Sequence, residues 1–140
     1  MNAATTTLPE IAIAWAAAWN GKPAEALGGL FTPDGTYTDH AIGLTLTGQE
    51  QISGWKARTN AMIDDASVTV SHAYRSGDHV TIEAVYAGHI KGAPTPFAVP
   101  MATLLDTRDD LLITADRDYY SLSSVLAQSG LPADWTPSDS

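Results

Sequence analysis

Between Leu8 and Asn20 the apolar side chains fall at Ile11, Trp15, Ala18 and Trp19, the three- and four-residue steps of a helix face. Pro9 suits the first turn and Asn20-Gly21 supplies a left-handed stop. A second, shorter helix is predicted from Pro23 to Leu30, with Ala24, Leu27 and Leu30 packing on the first and Gly28-Gly29 weakening its end. The next segment, FTPDGTYTDH, reads as a turn at Pro33-Asp34-Gly35 followed by a strand through Tyr37 and Asp39. AIGLTLTG gives a short extended or looped region. Helical spacing returns in QEQISGWKARTNAMIDD, at Ile52, Trp55, Thr59 and Met62 or Ile63, although Gly54 costs such a helix up to about 1 kcal/mol relative to alanine.

From Ala66 the period changes to two. SVTVSHAYR and HVTIEAVYAGHI are alternating β-branched runs joined at Ser76-Gly77-Asp78, a hairpin. A loop at Lys91-Gly92-Ala93-Pro94 leads to another strand, PFAVPMATLLD, in which Pro96 and Pro100 interrupt the row of donors and predict a bulge or an edge near Pro100. Thr107 to Asp110 turn the chain back into LLITADRDYYSLSSVLAQSGL. That stretch is a strand handing over to a helix with apolar positions at Leu122, Val125 and Leu126 and a stop at Gly130. Asp116 and Asp118 are two apart before the handover, so on an extended chain they share a face, either in solvent or lining a pocket. Residues 1 to 7 carry no pattern and are predicted to be disordered, and Trp135 in the polar tail is placed to fold back onto the body.

Helices first, then antiparallel strands, with one helix inserted and one at the end, make an α+β arrangement, and a curved antiparallel sheet wrapped around the N-terminal helices would make a cone with a pocket inside it. One domain is predicted over residues 1–140, with its core at about 8–131, because no repeat, linker or charge block divides the 140 residues. Sixteen acidic against seven basic residues give a net charge of −9, which repels phosphate backbones and anionic lipid, so nucleic-acid and membrane partners are not expected. No basic region precedes the first apolar residues and no run spans a bilayer, so the default is a cytoplasmic protein. With no cysteine, disulfide and thiolate chemistry do not enter.

The segment AWAAAWNGKPAEALGGLFTPDGTYTDHAIGLTLTGQEQI resembles the opening of the SnoaL-like polyketide cyclases, within the nuclear-transport-factor-type superfamily. The marks are W-N, then A-L-x-x-L-F-x-P-D-G-x-Y-x-D, then G-x-x-x-x-G-x-x-x-I, and RDYYSLSSVLAQSGL resembles the family's last strand and helix. The resemblance covers roughly residues 8 to 131. It implies the cone fold with an internal apolar cavity, a hydrophobic small-molecule substrate or ligand, and a possible homodimer through the outer sheet face. Members include cyclases, isomerases, epoxide hydrolases and binding or accessory modules, so no single reaction is implied.

Carried over residue by residue, the cyclases' acid/base aspartate matches Asp118. The limonene epoxide hydrolases' tyrosine matches Tyr37 and their asparagine falls on Asp39, but their middle-strand arginine and aspartate fall on Ala84 and Tyr86. The ketosteroid isomerases' base matches Asp39, while their oxyanion tyrosine falls on Trp15 and their protonated aspartate on Ala102.

An apolar cone desolvates a carboxylate and raises its pKa, so Asp118 is the first candidate for proton abstraction beside a carbonyl, assisted by Asp39 and Tyr37. The structural alternative is that Asp118 caps the following helix or pairs with Arg117 or Arg75. For Asp39 the alternative is a strand-end carboxylate bonded to Tyr37 or loop backbone. Trp15, His40, Trp55, Tyr86 and Ala102 are the candidate substrate contacts, the aromatic ones being equally suited to core packing. The four histidines have no ligand spacing, so no metal is expected, and without a phosphate loop or dinucleotide fingerprint the expected chemistry uses no cofactor. Three classes stay open: an acid/base cyclase, a non-catalytic binding module with the same cavity, and an epoxide hydrolase or isomerase with rearranged partners.

Overall fold

The computed structural model describes residues 8–109 and 112–137. The expectations for residues 1–7 and for the turn through Asp110 and Leu111 lie outside that range. In chain order the elements are α1 (Glu10–Asn20), α2 (Glu25–Gly28), β1 (Phe31–Asp39), β2 (Leu44–Thr47), α3 (Gln49–Met62), β3 (Ile63–Ser76), β4 (His79–Ile90), β5 (Phe97–Arg108), β6 (Leu112–Tyr120) and α4 (Leu122–Ser129). The six strands form one curved, open sheet in the order β2-β1-β6-β5-β4-β3. The mixed α+β class stands, with one correction: β1 and β6 pair in parallel, and only the remaining pairs are antiparallel. The parallel pair brings an early strand beside the last one, and the site is built on it.

Helix α1 buries Ile11, Ala12, Trp15, Ala18 and Trp19. Its end is not the left-handed stop that Asn20-Gly21 suggests, since Gly21 is extended. Instead the Asn20 amide pairs with the backbone of Val68, donating to its carbonyl at 2.9 Å and accepting its N–H at 2.8 Å. The side chain thereby acts as a one-residue strand partner and fixes α1 to β3. Helix α2 is shorter than its apolar spacing suggests, and Gly28 explains the residue choice there: a Cβ would stand 2.2 Å from Ser53 Oγ and 2.4 Å from the Gln49 carbonyl of α3.

The Pro33-Asp34-Gly35 turn is absent. The segment is instead an irregular part of β1, where the register to β6 shifts between Phe31 and Thr36, and the Gly35 carbonyl accepts Gly48 N–H at 2.8 Å. The region after His40 resolves into β2. Helix α3 ends three residues before its predicted limit, and Asp65 at φ 54° sits where β3 slips register against β4. Pro100 causes no bulge. The β5–β6 ladder begins at Met101, so at Pro100 strand β5 has a strand neighbour on the β4 side only and is locally an edge.

At the end of β6, Ser121 Oγ caps α4 by accepting Ser124 N–H at 3.1 Å, and Gly130 at φ 75° is the predicted left-handed stop. Two apolar clusters result: a large one between α1, α3 and the sheet, and a smaller one where α4 covers Ile63, Ile90, Phe97 and Val99, against which Trp135 folds back. Among the described residues no helix is long and apolar enough to cross a membrane.

Candidate active site

Strand β6 lies inside the sheet between β1 and β5, so side chains on its inner face are covered from both sides and from above. The two-residue period puts Asp116 and Asp118 on that face, 0% and 3% exposed. Parallel register with β1 aligns Tyr37 with Asp116 and Asp39 with Asp118, and antiparallel register with β5 aligns Thr103 with Asp118. Four strand positions thus converge on one carboxylate.

Asp118 accepts a hydrogen bond from the Thr103 hydroxyl at 2.7 Å on Oδ1 and another from the Tyr37 phenol on Oδ2. It neither caps α4 nor pairs with Arg117, whose guanidinium lies on the other face against Asp106 at 2.9 Å. Asp39 accepts the Tyr120 hydroxyl at 2.7 Å and the Ile42 backbone N–H at 2.9 Å. The inner face therefore holds two carboxyl–phenol pairs, Asp118 with Tyr37 and Asp39 with Tyr120. Burial raises the pKa of Asp118, and its interactions with Asp116, Tyr37 and Thr103 oppose that rise. Burial likewise raises Asp39 against the Ile42 and Tyr120 bonds. Tyr37, Tyr86 and Tyr120 are all pushed above the ordinary phenol value, first by burial and then by the nearby carboxylates, so they remain donors.

Both carboxyls open onto a cavity of about 370 Å³, a volume that falls in the range of small-molecule sites. Its rings come from Trp19, Tyr37, Trp55, Tyr86, Tyr120 and Trp135, and its aliphatic wall from residues such as Met62, Val68, Met101 and Leu126. Asp39 and Asp118 are its ionisable carboxyls, and no Lys, Arg or His stands among the lining residues. Trp19 adds a buried indole N–H with no acceptor among the described residues.

Of the residues singled out by the sequence, Tyr37, Asp39, Trp55, Tyr86 and Asp118 meet at this cavity, and three do not. Trp15 is fully buried behind it and donates its indole N–H to Asp116 at 3.0 Å. His40 is exposed and stacks on Tyr119 at 4.5 Å, beyond the end of β1. Ala102 lies between the inward residues Met101 and Thr103, opposite the exposed Tyr119, and so points to the outer face. Sequence reasoning missed Thr103, whose only signal is a hydroxyl at an inward position of an apolar alternation. It also missed Tyr120, which shares the face of Asp116 and Asp118.

An open curved sheet closed by helices over an apolar, carboxylate-bearing cavity defines a class of small α+β ligand-cavity proteins. Within it this chain belongs to the SnoaL-like domain family, whose model matches residues 12–115. None of the curated proteins matches it in sequence. Among solved structures, a protein with a ketosteroid isomerase-like fold from Catenulispora acidiphila DSM 44928, in complex with trimethylamine, is 76% identical with a TM-score of 0.92, over 94% of this chain and all of that one. IdmH from Streptomyces antibioticus, a candidate polyketide cyclase, is 23% identical with a TM-score of 0.74, over 87% and 97% of the two chains. An LEH-like epoxide hydrolase from M. tuberculosis is 16% identical with a TM-score of 0.72, over 86% of each. The last two are likenesses of fold alone.

Proposed function

We propose that this protein is a cofactor-independent acid/base enzyme of the polyketide cyclase type, acting on a hydrophobic carbonyl compound held in the cavity. The observation that carries the reading is the Asp118 carboxylate, desolvated at the wall of an apolar cavity and held by Tyr37 and Thr103. Burial moves such a base toward the range in which it both takes and returns a proton near neutral pH. In the proposed step Asp118 removes the proton from a carbon between two carbonyls. The resulting enolate carbon attacks a further carbonyl of the same molecule, and the new alkoxide oxygen takes the proton of a protonated Asp39 carboxyl. Proton exchange with solvent returns Asp118 to its carboxylate and Asp39 to its acid, so substrate and enzyme both balance. Tyr37 and Tyr120 already give their protons to the carboxylates, so the Tyr86 phenol on the cavity wall is the donor that reads as available to a substrate oxygen. Domain organisation follows the same reading: one cavity domain, with α4 and Trp135 closing it.

A second reading has its own observation. The 76% identical relative is in complex with trimethylamine, and aromatic rings beside carboxylates are the chemistry that holds a protonated amine. On that reading the cavity binds a small organic cation and Asp39 and Asp118 are its counter-charges. Melting temperature against a panel of polycarbonyl compounds, steroids, terpene epoxides and trimethylamine separates the two. A ligand at 100 times its dissociation constant adds about 2.7 kcal/mol and shifts the transition by several degrees. Stabilisation by polycarbonyls, with turnover that disappears in Asp118→Asn, supports the enzyme. Stabilisation by trimethylamine alone, lost in Asp118→Asn, supports the cation site.

A further inference from the structure

Asp116 stands behind the cavity wall, fully buried, and the reaction proposed above makes no use of it. Its Oδ2 accepts the Trp15 indole N–H at 3.0 Å. Its Oδ1 is equally buried and has no donor facing it among the described residues. On the same face of β6 stands Asp118, whose oxygens already accept from Thr103 and Tyr37. The groups facing the pair are Trp15 from α1, Tyr37 and Asp39 from β1, Tyr86 from β4, Thr103 from β5 and Tyr120 at the end of β6, and none is a cation. Arg117 lies between the two aspartates in sequence, but its guanidinium is bound to Asp106 on the opposite face.

Two ionised carboxylates in this setting would each lose water, repel the other and leave Oδ1 of Asp116 unsatisfied. One proton removes the repulsion and the unsatisfied oxygen and leaves one desolvated charge in place of two. Placed on Oδ1 of Asp116, it satisfies the orphan oxygen by donating to Asp118 and leaves a single charge on the carboxylate that meets the cavity. The reverse placement, on Asp118, would also give Oδ1 of Asp116 a donor, but it would put the charge on Asp116, which has only the Trp15 N–H beside it, instead of on the carboxylate that accepts from both Thr103 and Tyr37.

We propose that Asp116 is a positioning residue for Asp118: a buried carboxylic acid, oriented by Trp15, whose O–H donates to the Asp118 carboxylate and confines the charge of the pair to the cavity side. The directions of titration agree. Burial raises Asp116 well above the ordinary carboxylate range, and its hydrogen bond to Asp118 raises it further while lowering Asp118. The inference rests on Asp118 being the reactive carboxylate, but its test needs no substrate.

The experiment is a carbon-13 NMR titration of protein labelled at the aspartate carboxyl carbons, in the wild type and in Asp116→Asn, Asp116→Leu and Asp39→Asn. The aspartate carbon that holds its proton to the highest pH should vanish in Asp116→Asn and persist in Asp39→Asn. The amide of Asp116→Asn still accepts from Trp15 and donates to Asp118, so the Asp118 midpoint should stay near that of the wild type. Asp116→Leu removes the donor and should move that midpoint up by about one pH unit. Persistence of the high-pH signal in Asp116→Asn would overturn the proposal. So would an Asp118 midpoint that Asp116→Leu leaves in place, which is the result expected of a merely space-filling residue. If the leucine variant does not fold, loss or persistence of the signal in Asp116→Asn still decides. Should these titrations come out as expected while Asp118→Asn keeps full turnover, the pair stands and the catalytic reading falls.

Discussion

The two faces of β6 put the same residue type in opposite states. On the outer face Arg117 donates to Asp106 at 2.9 Å, His79 approaches the same carboxylate at 2.6 Å, and the bond to Arg117 holds Asp106 below the ordinary carboxylate range. On the inner face Asp116 and Asp118 meet no cation, only phenol, hydroxyl and indole donors, and burial holds both above that range. One step along the strand separates a partly solvated ion pair from a desolvated pair of carboxyls. What differs is the supply of water: neutral donors orient a carboxylate without removing the cost of its charge, whereas a guanidinium in solvent favours that charge outright.

The comparison breaks most visibly at Asp118. Asp118→Asn keeps shape and should lower turnover by about 10²- to 10⁴-fold, the usual contribution of a general base. Circular dichroism should show the fold intact, and steady-state rates check the loss. Next is Trp15→Phe, which leaves a buried Asp116 oxygen without its donor and should cost about 1–3 kcal/mol in urea unfolding.

The dependence on pH sharpens the contrast further. Asp116 is raised in the folded state, so its contribution to stability is complete below the unfolded value of about 3.9 and is lost as pH rises through the folded value. Asp106 is lowered, so its contribution is present above the unfolded value and is lost as pH falls through the folded one. Urea midpoints measured across pH should therefore show Asp116→Asn gaining on the wild type as pH rises, whereas Asp106→Asn falls behind the wild type once pH exceeds the carboxylate range. The smallest effect belongs to Arg117→Gln. Its partner is partly solvated, so the loss should be about 0–1 kcal/mol and should shrink with added salt.

Most of the fold was legible in the chain because its periods are clean. Ile11, Trp15, Ala18 and Trp19 mark α1, and the alternation of HVTIEAVYAGHI marks β4. The Pro33-Asp34-Gly35 segment misled because it is the unpaired stretch of β1 between Phe31 and Thr36, held in the strand by pairing to β6 at both its ends, which no local window contains. The site was legible as far as strand alternation carries: Tyr37, Asp39 and Asp118 follow from a period of two and a resemblance. Ala102, taken from the resemblance, sits one position from the inward Met101 and Thr103 and so on the opposite face, and His40, taken for its place beside Asp39, lies past the end of β1. Trp15 lies on the buried face that its spacing predicts, yet which buried group it meets depends on how α1 packs across the sheet. The same is true of the Thr103 hydroxyl and the Tyr120 phenol, whose partners come from other strands.

The most direct test of the central claim is exchange of substrate protons in deuterated water, followed by proton NMR, with polycarbonyl compounds that stabilise the protein. The wild type should exchange the protons on the carbon between two carbonyls, and Asp118→Asn should exchange them no faster than buffer. Exchange retained in Asp118→Asn, or none by the wild type with any compound that binds, would contradict the assignment of Asp118 as the base.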